Sequence, residues 1–141
     1  MAHESREVVV AGNGAGRYQQ QVTVAAHSLI ADEPVSMGGD DAGPAPFDYL
    51  LTALGACTSM TLRMYAELKK LPLARVSVTL VHEKIEVEGK GKIDRISRRI
   101  TLEGHLTPEQ RNRMLEIANR CPVHRALSGN LEIDSSLAAD T

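Results

Sequence analysis

The longest run of helical periodicity is Gly43 to Lys70, GPAPFDYLLTALGACTSMTLRMYAELKK. On a wheel at about 100° per residue, Leu50, Ala53, Leu54, Cys57, Met60, Thr61 and Met64 share one face. Asp48, Thr52, Gly55, Ser59, Arg63 and Lys70 line the opposite one, and Tyr49, Leu51, Leu62, Tyr65 and Leu68 fill the flanks. The polar strip is narrow, so the pattern predicts a helix buried on nearly all sides. A chain of 141 residues has few other elements to cover it, which implies a partner subunit over the helix, most simply an identical one. Pro44 and Pro46 signal the start, Asp48 complements the positive end of the helix dipole, Lys69 and Lys70 the negative end, and Pro72 prevents continuation. Gly55, Thr58, Ser59 and Arg63 break the apolar run short of the roughly 20 residues a membrane span needs.

Elsewhere the period falls to two. Arg6 to Gly12 and Tyr18 to Ala26 read as strands joined by a turn at Asn13 to Gly16, and His27 to Ala31 as a third strand. Asp32 to Gly43, rich in turn formers and acids and lacking Lys and Arg, reads as a surface connection into the long helix. Arg75 to Val87 alternates through Val76, Val78 and Leu80, then changes phase so that Val81, Ile85 and Val87 align, which predicts a bulge near His82 or Glu83. After a turn at Gly89, Lys90 and Gly91, the strand Ile93 to Gly104 puts Ile96, Ile100 and Leu102 on one face. Thr107, Pro108 and Gln110 form a capping box for a second helix that ends before Cys121 and Pro122. Val123 to Leu127 reads as a short helix opening at Pro122, Leu131 to Ile133 as a last strand, and the tail beyond Ser135 as frayed.

Composition, 43% hydrophobic and 24% charged, describes one globular domain over residues 1–141. A net charge of −2, no Trp and 3% aromatics supply neither a polyanion-binding surface nor a base-stacking platform, so nucleic acid is not an expected partner. The start, MAHESREVVV, has no basic segment leading into a long apolar one. No signal peptide or membrane association is therefore expected, the cytoplasm is the expected compartment, and both cysteines are expected as thiols. Cys121 and His124 are the only local pair of zinc-ligand type, with His27, His82 and His105 on other elements, so no metal is expected. Cys121 stands at a helix start, where free N–H groups favour a thiolate, and Arg120 and Arg125 add positive charge. Cys57 sits among leucines and methionines, where burial opposes ionisation and a nearby cation would have to offset it. A buried core cysteine that does no chemistry is the plainer alternative.

GPAPFDYLLTALGAC, with Cys57, followed 64 residues later by RCPVH around Cys121, resembles the OsmC/Ohr family, the osmotically inducible and organic hydroperoxide resistance proteins. The ADEP, GG, GP and TLRMYA segments are similar to an OsmC-like subgroup. The resemblance implies an α+β fold of order β3-α-β2-α2-β, an intertwined homodimer with the central helices buried, and no cofactor. It implies a thiol peroxidase taking an organic hydroperoxide as substrate and a dithiol as reductant, with Cys57 peroxidatic and Cys121 resolving. Where the family's characterised peroxidases carry a glutamate paired with an arginine, this chain has Phe47, with Asp48 one step later. Asp48 lies on the face opposite Cys57, about 14 Å along the axis. Arg17 resembles the arginine position of the Ohr branch. The candidate site is thus Cys57, Cys121, Arg17 and Asp48. The alternative is a non-enzymatic OsmC-like stress protein that binds an apolar ligand at the dimer interface.

Overall fold

The computed structural model describes residues 5–139. Residues 1–4, on which part of the leader reading rests, and the last two residues of the tail lie outside them. The order of elements is β1 (Val8–Gly12), β2 (Gln20–Val24), β3 (His27–Ala31), α1 (Pro46–Leu68), β4 (Leu73–Val87), β5 (Gly91–Gly104), α2 (Pro108–Ala118) and α3 (Pro122–Ser128). This is the expected α+β order except at its end. Leu131 to Ile133 forms no strand, and Leu131 and Ile133 are exposed. So short a segment has no structure of its own without an edge to supply its ladder.

The chain divides into two compact units. One comprises the residues up to Ala56 together with Val78–Ile100. Its sheet has the order β1-β2-β3, both pairs antiparallel, with Val8 opposite Val24 and Val24 opposite His27. That last pairing leaves Ala25 and Ala26 as a two-residue turn, with Ala25 at φ 51°, so the second strand stops two residues short of the expected Ala26. Asn13 shapes the first turn by accepting the Ala15 N–H on its side-chain oxygen.

The connection from Asp32 to Gly43 is more ordered than a plain surface loop. Asp32 is buried, and its carboxylate accepts the N–H groups of Glu33 (2.8 Å), Asp40 and Ala42 (both 3.1 Å). A single 3-10 turn at Val35–Met37 lies inside this frame. Gly39 is required there, because a Cβ would overlap the Glu33 carbonyl. The Ala42 N–H foremost, with those of Glu33 and Asp40, holds the Asp32 carboxyl below the usual carboxylate value against its desolvation.

In the same unit the hairpin of β4 and β5 changes phase. Along β4, Leu80 and His82 are half-buried, Val81 is exposed, and both Glu83 and Lys84 face solvent before Ile85 turns inward. The predicted slip therefore exists, at Glu83 and Lys84 and so next to the predicted His82 or Glu83, but Val81 does not align with Ile85. Along β5, Asp94 and Arg95 are the exposed pair between Ile93 and Ile96. The two slips are knitted together: Asp94 takes His82 at 2.8 Å and Lys84 at 2.9 Å, and Arg95 stands 3.9 Å from Glu83.

The other unit comprises Cys57–Ser77 and the residues from Thr101 onward. Thr58, Leu62, Ala66, Met114, Ala118 and Cys121 are its most buried positions. Arg63, expected on the polar strip, is half-buried, and its guanidinium donates to the carbonyls of Leu73 (2.9 Å) and Ala74 (3.1 Å). Gly104, at φ 140°, lies against the Pro72 carbonyl where a Cβ would not fit. The capping box of α2 is present as expected: Thr107 accepts the Gln110 N–H and the Gln110 side chain accepts the Thr107 N–H. At the end of α1, Lys70 adopts φ 55°, with Leu71 N–H on Ala66 O and Lys70 N–H on Glu67 O, a Schellman closure.

The burial of α1 is narrower than the wheel predicts. Leu54, Thr58, Leu62 and Ala66 form its buried line, whereas Met60 (57% exposed), Met64 (49%) and Leu68 (77%) face outward. The wheel could order these residues by angle, but not show which of two apolar sides the chain itself covers.

Candidate active site

Both cysteines are free thiols, and both are buried, Cys121 completely and Cys57 with 6% of its surface exposed. They come together in one unit because α1 carries Cys57 on its covered side and the break at Arg120–Pro122 turns Cys121 back toward it. Cys121 is the N-cap of α3. Its backbone is extended (φ −63°, ψ 142°), and its Sγ accepts the His124 N–H at 3.4 Å. The neighbouring helix supplies a further contact, Thr58 Oγ1 at 3.9 Å from Cys121 Sγ.

The first turn of α3 serves both sulfurs, since the Val123 N–H is directed to Cys57 while that of His124 goes to Cys121. Burial is nevertheless the largest influence on Cys57 and pushes its thiol above the ordinary value. The Val123 N–H works in the opposite direction, the hydrogen bond and charge of Cys121 add to the rise, and the Thr61 hydroxyl lowers it. None of these influences is a cationic side chain. Sequence reasoning foresaw the opposing effect of burial and the helix-start setting of Cys121. It missed the Val123 N–H, which has no side-chain signal, and Thr61, whose signal was available in a hydroxyl four residues after Cys57.

Arg17 and Asp48 belong to the other unit. The Arg17 guanidinium lies over the Tyr18 ring, 4.9 Å from its centroid. Asp48 accepts the Ala45 N–H at 2.8 Å and so closes the start of α1. Phe47 stacks on His82, with centroids 3.9 Å apart and planes 11° from parallel, and His82 in turn meets Asp94. A groove of about 350 Å³ in this unit is lined by Val8, Val10, Val22, Ala31, Pro46 and Tyr49 beside Gln20. Among the described residues no three His, Cys, Asp or Glu side chains cluster as metal ligands, and no helix is long and apolar enough to cross a membrane.

A family model described as OsmC-like protein matches residues 38–136. No curated protein sequence matches the chain. Among solved structures, an OsmC-like protein from Mycoplasma pneumoniae superposes with a TM-score of 0.75 at 17% identity, over 91% of this chain and 90% of that one. A Legionella pneumophila protein called an organic hydroperoxide resistance protein OsmC gives 0.71 at 20% identity, over 92% and 93%. The organic hydroperoxide resistance protein OhrB of Bacillus subtilis gives 0.65 at 16%, over 90% and 93%. At these identities the likeness is one of fold.

Proposed function

The chain belongs to the OsmC-like protein family, and from that premise we propose that it is a thiol-dependent peroxidase of organic hydroperoxides. The observation that carries this reading is the pair of buried free thiols, Cys57 and Cys121, held face to face with an N–H donor on each. Cys57, as thiolate, attacks the distal peroxide oxygen; the O–O bond breaks, the alkoxide leaves as an alcohol on taking a proton, and Cys57 becomes a sulfenic acid. Cys121 then attacks that sulfur, water leaves, and a disulfide forms, which an external dithiol reduces. Cys121 is suited to the second step because its sulfur already lies beside Cys57 and takes a backbone N–H. Arg17 is the candidate cation for Cys57 in the assembled protein, and Asp48 holds the helix start.

The active form proposed is a homodimer of single domains, in which a second copy covers Met60, Met64 and Leu68 of α1. Sedimentation at micromolar concentration tests this, and a stable folded monomer overturns it. Activity is tested by consumption of an alkyl hydroperoxide with a small dithiol as reductant. Turnover is expected in the wild type and none above background in Cys57→Ser, while Cys121→Ser should accumulate the sulfenic acid. An equal rate in Cys57→Ser overturns the reading. The largely apolar lining of the groove between Val8 and Tyr49 favours the second reading, an apolar-ligand binder without chemistry, and saturable binding of a fatty-acid probe in a protein inert to peroxide would establish it.

A further inference from the structure

Hydroxyls on helices can donate to the carbonyl four residues back, as Thr52 does to Asp48 O and Ser128 to His124 O, both at 2.7 Å. Thr61 does not. Its Oγ1 is buried and, among the described residues, has no hydrogen-bond partner. A buried hydroxyl left without a partner is costly, and a catalytic role is one of the reasons such a group is kept. The group one turn back along α1 is Cys57. Helical side chains lean toward the N-terminus, so a side chain at i+4 reaches over the one at i.

We infer that Thr61 is a catalytic hydroxyl that closes onto the Cys57 sulfur when the thiol loses its proton, giving the thiolate a second donor beside the Val123 N–H. The proton passes to bulk water, and the Thr61 O–H, idle against a neutral thiol, becomes a charge-assisted hydrogen bond to S⁻. The direction of its influence on Cys57, toward the ionised form, agrees with this geometry. With Phe47 engaged on His82 rather than presenting a carboxylate, neutral donors of this kind are the means within the thiol's own unit of offsetting its burial.

The inference deepens the reading of Cys57 as the attacking thiol, and its test uses no peroxide, so each can fail without the other. Reduced full-length protein is alkylated with iodoacetamide over a pH series, and modification at Cys57 is followed by mass spectrometry. Thr61→Val keeps the shape and removes the donor. It should move the midpoint of the Cys57 rate profile to higher pH and slow alkylation at neutral pH between about 3- and 10-fold, with an unchanged plateau at high pH. Thr61→Ser should restore the wild-type midpoint. A midpoint unmoved in Thr61→Val, a change confined to the plateau, or failure of Thr61→Ser to restore it overturns the assignment. Circular dichroism checks folding, and Thr61→Ala replaces the valine variant if the latter does not fold.

Discussion

Asp32 and Cys57 are both buried groups at which ionisation has to be supported by the protein, and they end in opposite states. Asp32 receives three backbone N–H groups, from Ala42, Glu33 and Asp40, and its carboxyl is held low. Cys57 receives one backbone N–H, has the Thr61 hydroxyl only as its weakest lowering influence, faces a second thiol, and is held high. Desolvation acts on both in the same direction; at Asp32 the Ala42 N–H outweighs it, whereas at Cys57 desolvation is the largest influence and the neighbouring thiol adds to it. The acid is an anion about which a loop folds, whereas burial and the neighbouring thiol hold Cys57 protonated.

The largest effect is expected from breaking the well-supplied side. Asp32→Ala leaves the N–H groups of Glu33, Asp40 and Ala42 without their acceptor at once, and should lower the urea midpoint more than any single-donor loss at the thiol site. Asp32→Asn, which keeps one acceptor oxygen, should fall between. Gly39→Ala strikes the same frame by volume instead of charge: its Cβ meets the Glu33 carbonyl, and a cost of about 1–3 kcal/mol is expected from forced backbone displacement. A wild-type midpoint in Gly39→Ala would show that the loop yields freely and that Asp32 alone organises it.

Acid sharpens the contrast. Because the folded pKa of Asp32 lies below its unfolded value, the stability it contributes is complete above the unfolded value near 3.9 and is lost as pH falls through the lower folded one. The difference in stability between wild type and Asp32→Asn should therefore be constant at neutral pH and shrink only in strong acid. Asp94, lowered first by its hydrogen bond to His82 and then by Lys84, shifts in the same direction. Its side chain is half exposed, however, so its share should weaken on adding salt while that of Asp32 does not.

How much of this was legible in the sequence follows from where each signal resides. The α2 capping box, the third strand and the limits of α3 are local, written in Thr107, Gln110, His27 and Pro122, and the structure returns them within a residue or so. The phase slip was visible as an irregular alternation and falls at Glu83 and Lys84, next to the expected His82 or Glu83, but hydropathy gave Val81 the inward position that His82 takes. The role of Asp32 was invisible, since its partners are backbone groups up to ten residues away and an acid in a loop reads as surface. The expected strand at Leu131 to Ile133 failed for the complementary reason: alternation supplies a face but not an edge to pair with. At the site, the helix-start position of Cys121 and the adverse burial of Cys57 were readable, while the Val123 N–H required the turn of α3 to be seen in place.

The smallest effect comes from relieving the thiol of its neighbour. Cys121 raises the Cys57 pKa both through a hydrogen bond and through charge. Cys121→Ser removes the second ionisable group while improving the cap, because a serine oxygen accepts the His124 N–H better than sulfur does. The first turn of α3 then stays in place, and with it the Val123 N–H on Cys57. Without the hydrogen bond and charge of a neighbouring thiol to oppose it, the Cys57 thiolate should form at lower pH, and alkylation at neutral pH should rise about 2- to 3-fold. The same variant should lose the disulfide and with it multiple turnovers of hydroperoxide, so one substitution quickens the first thiol and halts the cycle. Slower alkylation of Cys57 in Cys121→Ser would mean that the neighbouring thiol assists ionisation, and the contrast with Asp32 would then rest on the count of backbone donors alone.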